Sequence, residues 1–493
     1  MRRSGFGLRL AALAAAAAWL GGASGAWAAG PTIALSPTEN HPGSTVQVSG
    51  YHFGANKSVD IYFDTTDEVL AFTDSTGKFV KIPTPVPANT LPGTHYVTAV
   101  GRHNGEGAQA PFTVNTDWAQ FHFSPKLQGL NAWENVLASD NVAGLDVDWT
   151  AAVGETYSSP AVVNGVVYEA SVPGALYAFN AGTGAPLWSA TTASSILYSS
   201  PAVANGVVYV GCEDDNLYAF NATTGALLWT AATGGAIVSS PAVVSGVVYV
   251  GSLDHKLYAF NATSGAPLWT ATTGNIIYSS PAVANGVVYV GSFDHKLYAF
   301  DATSGAQLWT APTGNSIQSS PAVANRIVYV GSYDDKLYAF NAATGAQLWT
   351  ATTGSVIEGC PAVANGVVYV GSYDSNLYAF NAASGALLWS ATTGNSIFSS
   401  PAVANGVVYV GSYDHNLYAF DATSGASLWT AATGSLVESS PAVSNGMVYA
   451  GSYDGNLYAY ALNGGNDARY RGKRKPPALS SLQPDWNLRP ARN

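Results

Sequence analysis

The sequence is poor in charge, nearly free of cysteine and without helical rhythm, and each lack removes a class of protein. Charged residues are 10% of the 493-residue chain and the net charge is −11, so no basic surface is on offer for nucleic acid. The two cysteines, Cys212 and Cys360, fall in the second and sixth copies of the repeat described next. Opposite each other across a ring of such copies they are out of disulfide reach, and both read as small buried hydrophobes. No apolar period of 3.6 appears in the repeats, so helices are not expected there. Few charges beside much Thr, Ser, Asn and Gly suit an extracellular β-protein.

What the chain does have is one unit written over and over, clearest at 401–429 as PAVANGVVYVGSYDHNLYAFDATSGASLW. Its proline recurs at Pro160, Pro201, Pro241, Pro281, Pro321, Pro361, Pro401 and Pro441, a period of about 40 residues of the kind that builds repeat architectures. Short β-branched and aromatic blocks alternate with turns. The first turn is Asn-Gly in six copies, from Asn164-Gly165 to Asn445-Gly446, which suits a two-residue hairpin with positive φ at both positions. The second is built on Asp214, Asp254, Asp294, Asp334, Asp374, Asp414 and Asp454, each able to bond its own backbone. A Thr/Ser-Gly turn follows, so each unit is four short strands. Four strands per unit of this length predicts an all-β chain built as an eight-bladed β-propeller.

Eight tryptophans, Trp149, Trp188, Trp229, Trp269, Trp309, Trp349, Trp389 and Trp429, mark the outer strands. They are expected to wedge between neighbouring sheets, where an aromatic ring buries most area. Trp149 precedes the first proline and no LWT follows Leu462. Residues 145–151 are therefore expected to complete the last sheet, leaving no open edge.

Segments such as LYAFDATSGASLW at 417–429 resemble the tryptophan-docking repeat of the PQQ-like (quinoprotein-type) propellers, over residues 145–462. DWAQFHFSPKLQGLNAWENVL at 117–137 is similar to a segment that leads into the propeller in secreted members. The resemblance implies the fold and leaves function open between dehydrogenases, assembly scaffolds and other secreted proteins. In the dehydrogenases it implies PQQ on the axis, Ca²⁺ held by oxygen ligands and an adjacent cysteine pair. This sequence has no such pair and no long insertions between repeats.

The flanks divide into further parts. Residues 1–28, with Arg2, Arg3, an apolar run and Ala26-Trp27-Ala28, read as a secretory signal peptide. With no cysteine behind it, no lipid anchor is expected, and no transmembrane segment in the mature chain. Residues 31–115 alternate as strands between Pro and Gly turns and are similar to bacterial immunoglobulin-like modules, a β-sandwich. Residues 116–144 are the lead-in segment, 145–462 the propeller, and 463–493 a basic tail, expected to be disordered, with Arg469, Arg471, Lys473, Arg474, Lys475, Arg489 and Arg492.

Near-identical copies show where they differ. The residue before Ser-Ser-Pro reads Tyr157, Tyr198, Val238, Tyr278, Gln318, Glu358, Phe398 and Glu438. The loop that carries it and the Asp turn share one face of a propeller, so this ring is expected at exposed positions, together with His255, His295 and His415. Aromatic faces with a few polar groups make a ligand-binding surface, with Glu358 and Glu438 as the candidate pair for a calcium ion. Drift at exposed positions gives the same pattern. Two other departures stand out, Glu169 where other copies have Val or Ala, and Arg326 in place of a turn glycine.

The reading expects an exported protein, periplasmic or extracellular and monomeric, that is not an enzyme. It would recognise a partner protein, a glycan or another component of the cell envelope through one propeller face, with no cofactor and no nucleic acid. The alternative is a PQQ- and calcium-dependent dehydrogenase of alcohols or sugars.

Overall fold

The computed structural model describes residues 30–462 and 476–482. The expected signal segment 1–28 lies outside the described residues, as does the basic tail apart from 476–482. The described chain is all-β, its only helical turns being Val142–Gly144 and Leu479–Ser481.

Residues 30–115 form a three-stranded and a five-stranded sheet. Alternation in Thr45–Tyr51 turns Val46 and Val48 inward, where they meet Ile61, Phe63, Val97 and Phe112. The C-terminal piece lies on this unit: Gln109 Nε2 donates to the Pro477 carbonyl at 2.6 Å, and Leu482 is buried.

The remainder is the β-propeller architecture of repeated antiparallel sheets: among the described residues seven have four strands, and in an eighth the short strand Leu130–Asn131 of the lead-in segment adds a fifth, parallel to Ala402–Ala404. In each, a three-residue inner strand such as Ala202–Ala204 leads through a two-residue turn, Asn-Gly in six copies, into the second strand. Asn205 and Gly206 take φ of 50° and 76°, as this hairpin type requires. Arg326 occupies the glycine place at φ 65°, so the turn is kept and a non-glycine residue carries the strain. At the next turn Asp214 Oδ1 accepts from the Asn216 amide at 3.1 Å, and Oδ2 from the Tyr218 hydroxyl at 2.5 Å.

Each tryptophan fastens its sheet to the next. Trp188 Nε1 donates to the Ala222 carbonyl at 3.0 Å, with its ring over Gly225 at φ +69°, where a Cβ would stand 2.6 Å from the indole. The same bond joins Trp149, Trp229, Trp269, Trp309, Trp349 and Trp389 to the following sheet, and Trp429 to Leu145. Leu145–Ala152, carrying Trp149, pairs antiparallel with Asn456–Leu462. The start of the repeat region therefore supplies the outer strand of the sheet that the chain builds last.

Inside, the second serine of Ser-Ser-Pro forms a relay. The amides of Ser159, Ser200, Ser240 and Ser280 each donate to the hydroxyl one repeat ahead, at 2.8–3.0 Å. Cys360, Ser400 and Ser440 continue it, and Ser440 donates to Ser159. The circuit breaks once, at Ser320, because the residue ahead is Cys360 and offers no hydroxyl. Both cysteines are free and buried, as expected of small hydrophobes.

Unforeseen by the sequence, the lead-in segment runs around the inside of this circle and bonds the inner strand of every repeat sheet in turn. Trp118 and Val162 exchange backbone bonds at 2.7 Å; carbonyls of Ala119, Pro125, Lys126, Gln128 and Gly129 accept from Val203, Val283, Val323, Val363 and Val403. Gln120 Oε1 serves Val243, and Asn131 Nδ2 donates to Val443. His122 is fully buried in this segment, its ring nitrogens 2.8 and 2.7 Å from the carbonyls of Leu127 and Pro401. Gly129, at φ +60°, leaves it room; a Cβ there would lie 2.3 Å from the imidazole.

Candidate functional site

The ring of variable residues surrounds the mouth of the propeller, above the lead-in segment. Tyr157, Tyr198, Val238, Tyr278, Gln318, Glu358, Phe398 and Glu438 line one hollow of about 100 Å³, with Phe121 from the lead-in segment and the relay serines. The expectation of exposed positions is corrected here: all are half-buried except Val238, which is 3% exposed. A larger hollow, about 420 Å³, lies in the N-terminal unit between Phe63, Asp64 and Pro477. There His95 is committed on both ring nitrogens, to Asp64 and to the Leu91 carbonyl.

A second tier of residues belongs to the site and was overlooked. The residue ahead of the turn Asp is Glu213, Leu253, Phe293, Tyr333, Tyr373, Tyr413 and Tyr453 in the second to eighth copies, and from Phe293 onward its side chain meets the residues of the ring. Glu358 accepts from the Tyr373 hydroxyl, from Gln318 Nε2 and from Tyr333 at 3.0 Å. Glu438 accepts from Tyr413 at 2.5 Å and from Tyr453, both on Oε2. Aromatic rings fill the gaps: Phe398 stacks on Tyr413 at 3.9 Å and meets Tyr373 at 4.0 Å, and Tyr157 meets Tyr453 at 4.4 Å. The variation that betrayed the first tier is present in the second too, but there it sits beside a constant Asp whose turn role explained the stretch.

Burial sets the electrostatics. It pushes the Glu358 carboxyl up to about 7, with the Glu438 charge adding to the rise and the Tyr333 and Gln318 hydrogen bonds opposing it. Glu438 is also raised by burial, against the pull of its two tyrosines. Tyr333 and Tyr413 are held above the usual phenol range by burial and then by the carboxylate beside each. These phenols are therefore donors, and the carboxylates their acceptors.

The candidate metal pair is drawn into these tyrosine contacts, and among the described residues no group of three His, Cys, Asp or Glu side chains gathers. His255, His295 and His415 do not join the hollow. They follow the turn Asp, exposed, at φ of 72°, 68° and 71°, and hold a left-handed backbone position that polar residues tolerate better than β-branched ones.

Comparison with known proteins places this architecture. Among solved structures, BamB from Moraxella catarrhalis is 20% identical, with a TM-score of 0.57 over 64% of this chain and 99% of that one. A quinohemoprotein alcohol dehydrogenase from Pseudomonas putida is 15% identical, TM-score 0.61, over 75% and 82%. The computationally designed protein Ika8 is 17% identical, TM-score 0.56, over 63% and 98%. At these identities the likeness is one of fold. No curated protein sequence matches the chain. No helix among the described residues is long and apolar enough to cross a membrane. The family model described as outer membrane protein assembly factor BamB matches at 126–239, 213–318, 294–398 and 374–484, which covers the repeats from end to end, and the chain belongs to that family.

Proposed function

We propose that the protein is an exported, non-enzymatic binding scaffold. In this reading the eight sheets are the blades of an eight-bladed propeller, residues 31–115 are an immunoglobulin-like spacer, and the mouth recognises a partner of the cell envelope. The observation that carries it is the coincidence of variation and geometry. In copies otherwise nearly identical, one variable position lines a single hollow with aromatic rings and two half-buried carboxylates, and tyrosines of a second variable position bond those carboxylates. Membership of a family described by an assembly factor is in keeping with a protein partner.

The dehydrogenase alternative draws on fold likeness, and these residues fit its cofactor poorly. The hollow of about 100 Å³ is well below the roughly 300–1,000 Å³ typical of sites for drug-sized ligands. Both oxygens of Glu358 are engaged by protein donors. The test is a titration of the exported chain with PQQ and Ca²⁺ together, followed by tryptophan fluorescence and dye reduction with alcohols and sugars. No change supports the scaffold; saturable quenching with dye reduction would overturn it.

A further inference from the structure

We infer that the mouth takes the cationic side chain, arginine or lysine, of a partner protein; this rests on the reading of the mouth as a binding face. Three observations carry the inference. First, the lining holds two carboxylates and not one Lys, Arg or His. Second, the carboxylates flank an aromatic wall. Phe398, stacked on Tyr413 and tilted against Tyr373, lies in the copy between those of Glu358 and Glu438, and aromatic rings beside carboxylates favour a cation over a neutral group. Third, Glu438 accepts both its hydrogen bonds on Oε2. Glu438 lines the hollow, and its Oε1 has no protein donor among the described residues and is not sealed from solvent, so a donor from outside can reach it.

Size and depth point to a side chain and not to a whole small molecule. The hollow accepts one slender head group, while Phe121 and the lead-in segment close it below. A basic residue on a protein surface enters head first and leaves its backbone outside, over the Asp turns. Because burial holds both carboxyls above their ordinary range, an arriving cation favours the ionised forms and displaces protons. Tyr157, Tyr198, Tyr333, Tyr413 and Tyr453, which face the pair, stay neutral through this range. With the Glu358 carboxyl pushed up to about 7, binding is expected to tighten as pH rises through that value.

The test is saturation-transfer NMR on the whole exported chain with three blocked tripeptides, Gly-Arg-Gly, Gly-Lys-Gly and Gly-citrulline-Gly, and with the neutral sugars chitobiose and maltotriose. The two cationic peptides should bind saturably, more tightly at the higher pH, and lose about tenfold in affinity in Glu438→Gln. Equal binding of the citrulline peptide overturns the inference without any variant being needed, as does an unchanged affinity in a Glu438→Gln protein that melts like the wild type. If only a sugar binds, and Glu438→Gln weakens it, the mouth remains a binding face and the cation is wrong. If no probe binds, both readings fall.

Discussion

Replacing Glu169 by valine is expected to stabilise the protein, and more so as pH rises. Glu169 lies in Val166–Ser171, fully buried, at the place held by Val210, Val250, Val290, Val330, Val370, Val410 and Ala450 in the other copies. The Thr156 and Ser158 hydroxyls lie 2.6 and 2.9 Å from its Oε1, and 2.7 and 3.1 Å from the Ala170 carbonyl. Two hydroxyl protons cannot serve four such contacts, but a proton on Glu169 adds a third. Its Oε2 is buried without a partner. Burial accordingly raises the carboxyl from 4.5 to about 8. Well below pH 4.5 the folded and unfolded chains both hold the proton, and titration of this group costs nothing. As pH climbs from 4.5 the unfolded chain ionises while the folded chain does not, so stability falls until the folded group also ionises near pH 8. At about 1.4 kcal/mol per pH unit, the loss accumulates to on the order of 5 kcal/mol. Glu169→Val abolishes that loss and leaves both hydroxyls free to donate to Ala170. Thermal melts of both proteins at about pH 5 and pH 8.5 read the effect. An advantage for the variant that grows with pH is expected; an equal advantage at both, or a variant less stable at the higher pH, would refute the reasoning.

Cys360→Ser should close the serine relay by giving the Ser320 amide an acceptor, raising stability by about 1 kcal/mol in urea titration; a loss of stability would mean the thiol's packing outweighs the bond. Gly225→Ala drives a Cβ to 2.6 Å from the Trp188 ring at φ +69°, and should cost about 2 kcal/mol or more, seen as a lower melting temperature. Gly129→Ala strikes the His122 ring at 2.3 Å and the Pro401 carbonyl at 2.8 Å. Hydrogen exchange should then quicken at Val403 and its neighbours in the lead-in segment, and unchanged exchange would refute the contact.

Local chemistry made much of the fold legible. Asn-Gly and Asp turns, β-branched blocks and tryptophans at fixed spacing each name a conformation, and eight copies repeat the message. The position of Trp149 ahead of the first proline even disclosed where the last sheet finds its outer strand. The first tier of the mouth was legible because it varies where its surroundings do not. The second tier was not, since Tyr333, Tyr373, Tyr413 and Tyr453 look like strand-end aromatics until the turn geometry aims them at Glu358 and Glu438. The role of 117–137 was out of reach for a different reason. Its contacts are backbone bonds to residues far along the chain, and such pairing leaves no period in the sequence.

Near-identical copies pose a problem of address. A sheet that docks one position out of place meets almost the same leucines, tyrosines and tryptophan as in its proper place, and mis-joined neighbours are a hazard of repeat proteins. The segment that circles the interior removes the ambiguity, because it offers each copy a different mate: Trp118 for the first, the Gln120 side chain for the third, Asn131 for the last. A circle with one copy too few or too many leaves a mate unmatched. The segment thus works as a tally stick, and the number of sheets is written between Trp118 and Asn131, in residues that do not themselves repeat.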